Sequence, residues 1–269
     1  MKKSIFFFAH YDDEFGVYED IRIHIAQKIP IHIVYVTSSS LNGSKNIIRE
    51  KESLSVLKKL GVSRNQISFV GKELSIPDLA LKNHLMTAFI RCKSLIKKLG
   101  DVKTIYTHAY EGGHPDHDAL NFLCSKLIST NKSIINGWQF PLYCGPGLVG
   151  PFFFLFKPLK RNGKIIKKKL EKIYIRLYLK LVFTYKSQLR TFIGLFPFYL
   201  FHMIFIKNSI IQKINPKKKY MRPHKGKLLY ERRGMDNFKS LKLKMNEFEI
   251  WLKKSSKVNS LKKSKLTSS

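Results

Sequence analysis

Residues 4–9 form a continuous apolar run, Ser-Ile-Phe-Phe-Phe-Ala. An uninterrupted run of this length predicts a strand buried on both faces. Similar runs at 31–37, 67–70, 102–107 and from 134 onward predict four more strands. Between them the apolar spacing turns helical. Residues 20–27 predict a helix stopped before Pro30. Residues 45–60 carry a stripe of Ile47, Ile48, Leu54, Leu57 and Leu60 that stops at Gly61. A loop with Pro77-Asp78 leads to a helix over 79–99 ending at Gly100, and a last helix is predicted over 118–129. Residues 38–44 read as a polar loop with Asn42-Gly43 as its turn signal. Strands alternating with helices predict an α/β fold: a Rossmann-like, mostly parallel sheet with helices on both faces.

The pattern changes after Tyr143. Residues 146–158 are rich in Gly, Pro and Phe. Residues 164–185 are basic, laced with aromatics, and have helical spacing. Residues 192–206 hold no formal charge but contain Pro197 and His202. That segment is short of the roughly 20 apolar residues a membrane span needs. A buried helix or an interfacial segment lying on lipid fits it better. From Lys253 the chain is rich in Lys and Ser and is expected to fray. The expected organisation is an α/β core over 1–145, a basic, aromatic-rich extension over 146–252 that completes or caps it, and a disordered tail over 253–269.

Two short polar clusters follow predicted strands: Ala9-His10-Tyr11-Asp12-Asp13-Glu14 and Gly113-His114-Pro115-Asp116-His117. In open α/β sheets ligands bind beyond the C-terminal ends of strands, so both clusters lie where a site is expected. His10 and Asp13, three apart in a tight turn, can face one point, and His117 can supply a third ligand from the neighbouring loop. Two imidazoles and a carboxylate with an open fourth position describe a catalytic zinc site, with another divalent metal as the alternative. Such an ion acidifies water and polarises a carbonyl. Asp12 can then take a proton, His114 can stabilise an oxyanion or protonate a leaving amine, and Asp116 can hold His114 in one tautomer. The competing reading is a pair of polar turns without metal. His24, His32 and His84 read as core histidines. No GxGxxG follows the first strand and no GxxxxGK[ST] is present, which argues against dinucleotide and P-loop roles.

Charge sharpens the picture of the partner. The net charge of +32 is uneven: residues 1–150 carry 19 Lys+Arg against 13 Asp+Glu, and residues 151–269 carry 31 against 5. The second half prefers an anionic neighbour, although a compositional bias toward Lys explains part of the excess. Cys92, Cys124 and Cys144 are far apart and form no CxxC pair, which fits a reducing compartment. The run after Met1-Lys2-Lys3 is too short for a signal-peptide core, so a cytoplasmic protein is expected, at the inner face of a membrane if it associates peripherally.

The two clusters together resemble the AHPDDE and HPDH motifs of the PIG-L/LmbE-like N-acetylglucosaminyl deacetylase family. The resemblance covers residues 3–145, with Arg49-x-x-Glu52 and Leu60-Gly61 resembling the family's helix after the second strand. Weaker echoes fall at Tyr185-Lys-Ser-Gln188 and Arg222-Pro-His224. The resemblance implies His10, Asp13 and His117 as zinc ligands, Asp12 as general base, and His114 as electrophilic or acid partner oriented by Asp116. It also aligns Arg49 and Asp78 with positions that bind substrate hydroxyls or phosphate. Tyr11 departs from the motif, which has proline there, and Gly112 stands where some relatives have a tyrosine, leaving Tyr110 as an oxyanion-hole candidate. The expected activity is removal of the N-acetyl group from a GlcNAc-type sugar carrying an anionic portion. The alternatives are a metal-dependent amidase acting on a non-sugar small molecule and a non-catalytic nucleic-acid-binding protein. No nucleic-acid-binding module supports the last, and no nucleic-acid partner is expected.

Overall fold

A computed structural model describes residues 2–38, 43–150 and 152–266. Strands β1 (Lys3–Phe8), β2 (Ile31–Tyr35) and β3 (Ile67–Phe69) alternate with helices α1 (Tyr18–Ala26) and α2 (Gly43–Lys59). After β3 come a short helix α3 (Val70–Glu73), α4 (Leu85–Leu99), β4 (Val102–His108), α5 (Pro115–Ser129) and β5 (Asn136–Phe140). Strands β6 (Tyr143–Cys144) and β7 (Phe154–Leu155) pair as a small separate ribbon. The chain closes with β8 (Ile165–Lys169), α6 (Lys172–Val182), α7 (Leu189–Phe201), β9 (Asn208–Lys213), α8 (Leu229–Arg232) and α9 (Phe238–Leu266).

The main sheet has seven strands in the order β3-β2-β1-β4-β5-β9-β8. The first five are parallel; β9 runs antiparallel to β5, and β8 antiparallel to β9. Alternation along β1 sends Phe6 and Phe8 into one core and Ile5, Phe7 and Ala9 into the other. The first core is closed by α1, α2, α6 and α7, the second by α4, α5 and α9. From β1 the chain moves outward through β2 to β3, then returns to place β4 on β1's other side. The order therefore reverses between β1 and β4, and both polar clusters leave the sheet at that reversal.

Several elements differ from the sequence reading. The predicted 79–99 helix breaks: Leu79 adopts a positive φ of 65°, Leu81–His84 is a 3-10 turn, and only then does α4 begin. The N–H groups of Leu79 and Leu81 leave the helical path to bond the Asp116 carboxylate, at 2.7 and 3.1 Å. Helix α5 starts three residues before the predicted 118, because His114 serves as N-cap and Pro115 has the φ suited to the first helical position. Within the basic stretch, residues 165–169 are an edge strand rather than helix, since Ile165 and Ile166 pair with β9, and helix resumes only at Lys172. The expected tail from Lys253 falls on α9, which runs to Leu266. Part of the 38–44 loop, with Asn42, lies outside the described residues. Residues 189–206 form α7 and one π-helical turn, His202–Ile206; among the described residues no helix is long and apolar enough to cross a membrane.

Candidate metal centre

At the end of β1 the chain turns sharply. Asp12 takes a φ of 118°, a left-handed conformation uncommon for any residue with a Cβ. Tyr11 anchors this turn: it is fully buried, with its ring 5.0 Å from Tyr35 and 5.4 Å from Phe69. The position that proline holds in the motif is thus held here by aromatic packing. Asp13 begins a 3-10 turn (Asp13–Gly16), and its Oδ2 accepts the His10 N–H at 2.7 Å.

The three expected ligands converge. His10 Nδ1 lies 3.3 Å from Asp13 Oδ2, His117 Nε2 lies 3.2 Å from Asp13 Oδ1, and the two ring nitrogens are 3.3 Å apart. A tetrahedral ion about 2.0–2.1 Å from each donor requires donors about 3.3–3.4 Å from one another. All three residues are buried, and Asp13 offers a different oxygen to each imidazole, at separations of the size that a small divalent cation needs. Burial opposes charging His10, but Asp78 and Asp13 beside it outweigh that and hold its pKa well above the ordinary value. Burial also opposes ionising Asp13, yet the imidazoles of His117, His108 and His10 hold its carboxyl well below the usual range.

The supporting contacts differ from expectation at Asp116. Its carboxylate does not hold His114. It lies 3.3 Å from His10 Nε2 and accepts the Leu79 and Leu81 N–H groups. Placing a carboxylate on Nε2 leaves the His10 Nδ1 lone pair toward Asp13 and His117, as a metal ligand requires. The reason is helical geometry: Asp116 sits in the first turn of α5, where its N–H, not its side chain, faces back to the N-cap. That N–H donates to His114 Nδ1 at 3.2 Å. His114 therefore carries its proton on Nε2, which lies 3.7 Å from Asp78 Oδ1. Burial, with His10 and His117 adding to it, pushes the His114 pKa down to about 3. It is a neutral hydrogen-bond donor.

Asp78 and Arg49 are both brought in. Asp78 Oδ1 is 3.0 Å from His10 Nε2. Arg49 Nη2 donates to Asp12 Oδ2 at 3.1 Å and to the Tyr11 carbonyl at 3.2 Å. Burial raises the Asp12 carboxyl to about 7 against the pull of Arg49, with Asp13 adding to the rise. Tyr110 is not brought in: its ring packs 4.8 Å from Tyr220, in the core beneath α5 and α9. His24 and His32 are structural, bonded to Ser4 and Ser68.

Four further contributors carry no role in the sequence reading. His108, at the end of β4, places Nε2 3.1 Å from Asp13 Oδ2 and stacks on His117 with ring centroids 3.8 Å apart. Its signal was available, since it ends the strand that leads into the second cluster. Glu14 accepts the Asp12 N–H and the Tyr185 hydroxyl, which ties the Tyr185 echo to the first cluster. Tyr143, in β6, and Arg233, at the C-terminal end of α8, carry no motif. With Asp12, Asp13 and α7 they wall a cavity of about 480 Å³.

The family model for GlcNAc-PI de-N-acetylase, PIG-L, matches residues 5–128. No curated protein matches the sequence. Among solved structures, the fold is similar to a deacetylase of the teicoplanin biosynthesis pathway (13% identity, 80% of this chain and 98% of that one, TM-score 0.62). It is similar as well to the A40926 pseudoaglycone deacetylase (13%, 81% and 99%, TM-score 0.61). A third is the N,N'-diacetylchitobiose deacetylase from Pyrococcus horikoshii (18%, 83% and 88%, TM-score 0.54). The segment that the PIG-L model matches holds both polar clusters, and the chain shares the α/β fold of these deacetylase structures.

Proposed function

We propose that this protein is a metal-dependent N-deacetylase that releases acetate from an N-acetylated amino sugar. The observation that carries the reading is the convergence of His10, Asp13 and His117, with donor separations of 3.2–3.3 Å, next to Asp12 in the same turn and with the His114 ring 4.6 Å from that of His10. The PIG-L match and the deacetylase structures support the same reaction class. Zinc is the ion proposed; when bound it supplies Lewis acidity toward the amide carbonyl and lowers the pKa of water. Asp12, raised into the neutral range, accepts the proton of the attacking water and can return it to the departing amine. His114 Nε2–H donates to the oxygen on which charge develops. Arg233 is the member of the basic half that reaches the cavity wall, and we assign it the anionic portion of the substrate.

The test is acetate release by zinc-loaded protein from GlcNAc, UDP-GlcNAc and lipid-linked GlcNAc, beside Asp12→Asn. Turnover in Asp12→Asn should fall by about 10²–10⁴-fold with zinc content unchanged. Wild-type turnover in that variant would remove Asp12 as base. No acetate from any sugar, with zinc bound, would favour the amidase reading.

A further inference from the structure

From Ile193 to Ile206, α7 and the π-helical turn after it hold no charged residue, yet only part of this stretch is covered. Leu195, Tyr199, His202 and Met203 face inward, the Tyr199 ring lying 6.0 Å from Phe15 and 5.8 Å from Phe156. On the opposite side Ile193 is 64% exposed, Phe201 55% and Phe205 69%. A helix apolar all round belongs in a core or in contact with lipid. The neighbouring loop adds Phe152, 61% exposed, and Phe153 joins the two by packing on Phe198 at 5.8 Å. Contiguous exposed aromatics of this kind mark an interaction surface.

The rim of this face is cationic. An open apolar groove of about 620 Å³ lies between Phe201, Ile206 and Phe154, with Lys157 and Lys167 at its edge. Lys169 pairs in register with Asn208, next to Lys207 where the apolar segment ends. Aromatics flanked by exposed lysines combine the two attractions that hold proteins on anionic lipid: apolar insertion and about 1 kcal/mol per basic residue near the surface. One flank of the same helix lines the candidate catalytic cavity through Gly194, Leu195 and Phe198.

We infer that the outer face of α7, with the Phe152 loop and the lysines of β8, docks on an anionic phospholipid surface and holds the cavity mouth at the bilayer. The proposal goes beyond the deacetylase reading and stands without it, because docking needs no substrate. The test is co-sedimentation of the full chain with phosphatidylcholine vesicles, with and without phosphatidylglycerol. The protein should bind the phosphatidylglycerol vesicles and release in high salt. Phe201→Ser/Phe205→Ser and Lys167→Glu/Lys169→Glu should each weaken binding by about tenfold or more. As a variant that keeps the apolar face, Phe205→Trp should add fluorescence that brominated lipid quenches. Absence of vesicle binding, equal binding by all variants, or no quenching of the added tryptophan would overturn the proposal. So would a concentration-dependent dimer that the Phe substitutions dissociate without any vesicle binding, which would assign the face to a second copy of the chain.

Discussion

Arg49 and Asp12 are joined by an ion pair of 3.1 Å although 37 residues separate them. The same guanidinium group reaches the Tyr11 carbonyl, so Arg49 holds both the backbone and the side chain of a turn in an uncommon conformation. Arg49→Ala should lower kcat by about 10²-fold, the scale of an ångström-sized misplacement of a reacting group. Metal content should not change. Arg49→Lys should recover only part of the loss, because a strongly hydrated ammonium on a shorter stem does not place a donor where Nη2 meets both the Tyr11 carbonyl and Asp12. A rise in KM with kcat intact would instead make Arg49 a substrate-binding residue.

Asp116 acts on His10 rather than on His114. Asp116→Asn keeps an acceptor but loses the charge that orients the His10 ring. Zinc affinity, measured by competition with a chelator, should fall by about 10–100-fold. Unaltered affinity with a fall in turnover would return Asp116 to the role of orienting His114.

Glu111 supplies a pH-dependent contribution to stability. Its Oε1 accepts the N–H groups of Leu142 and Tyr143, and burial raises its pKa from 4.5 to about 8. The folded state therefore holds a proton that the unfolded chain releases above its own pKa. Between about pH 4.5 and 8 the unfolded state binds fewer protons, so stability falls as pH rises, by a few kcal/mol at most. Glu111→Gln preserves the acceptor and removes the ionisation. Its melting temperature should vary less than that of the wild type across this window, and parallel curves would contradict the assignment.

Gly113 has no room for a side chain. A Cβ there would meet the Tyr143 carbonyl oxygen at 2.0 Å, whereas one on Gly194 would meet nothing within 4 Å. Gly113→Ala should destabilise by about 1–3 kcal/mol or more and displace Tyr143 from the cavity. Gly194→Ala, inside α7, should be neutral or stabilising by up to about 1 kcal/mol. Thermal denaturation of the two variants separates these outcomes.

The sequence by itself determined the parallel core and the two clusters, because both are local. A buried strand reads as an apolar run such as residues 4–9, and a ligand pair such as His10 and Asp13 is set by one turn. The chain also announced the basic second half and the uncharged stretch that became α7. Tertiary structure decided what these pieces face. Asp116 turned to His10 because the Leu79 and Leu81 N–H groups hold its carboxylate there, while at the start of α5 its backbone N–H meets His114. Residues 165–169 became a strand because β9 offered an open edge, a pairing no local periodicity encodes. Tyr143 and Arg233 reach the cavity through long-range contacts, and His108 joins Asp13 because β4 lies beside β1. Spacing along a chain sets which side chains share a turn, whereas the order of strands sets which turns meet.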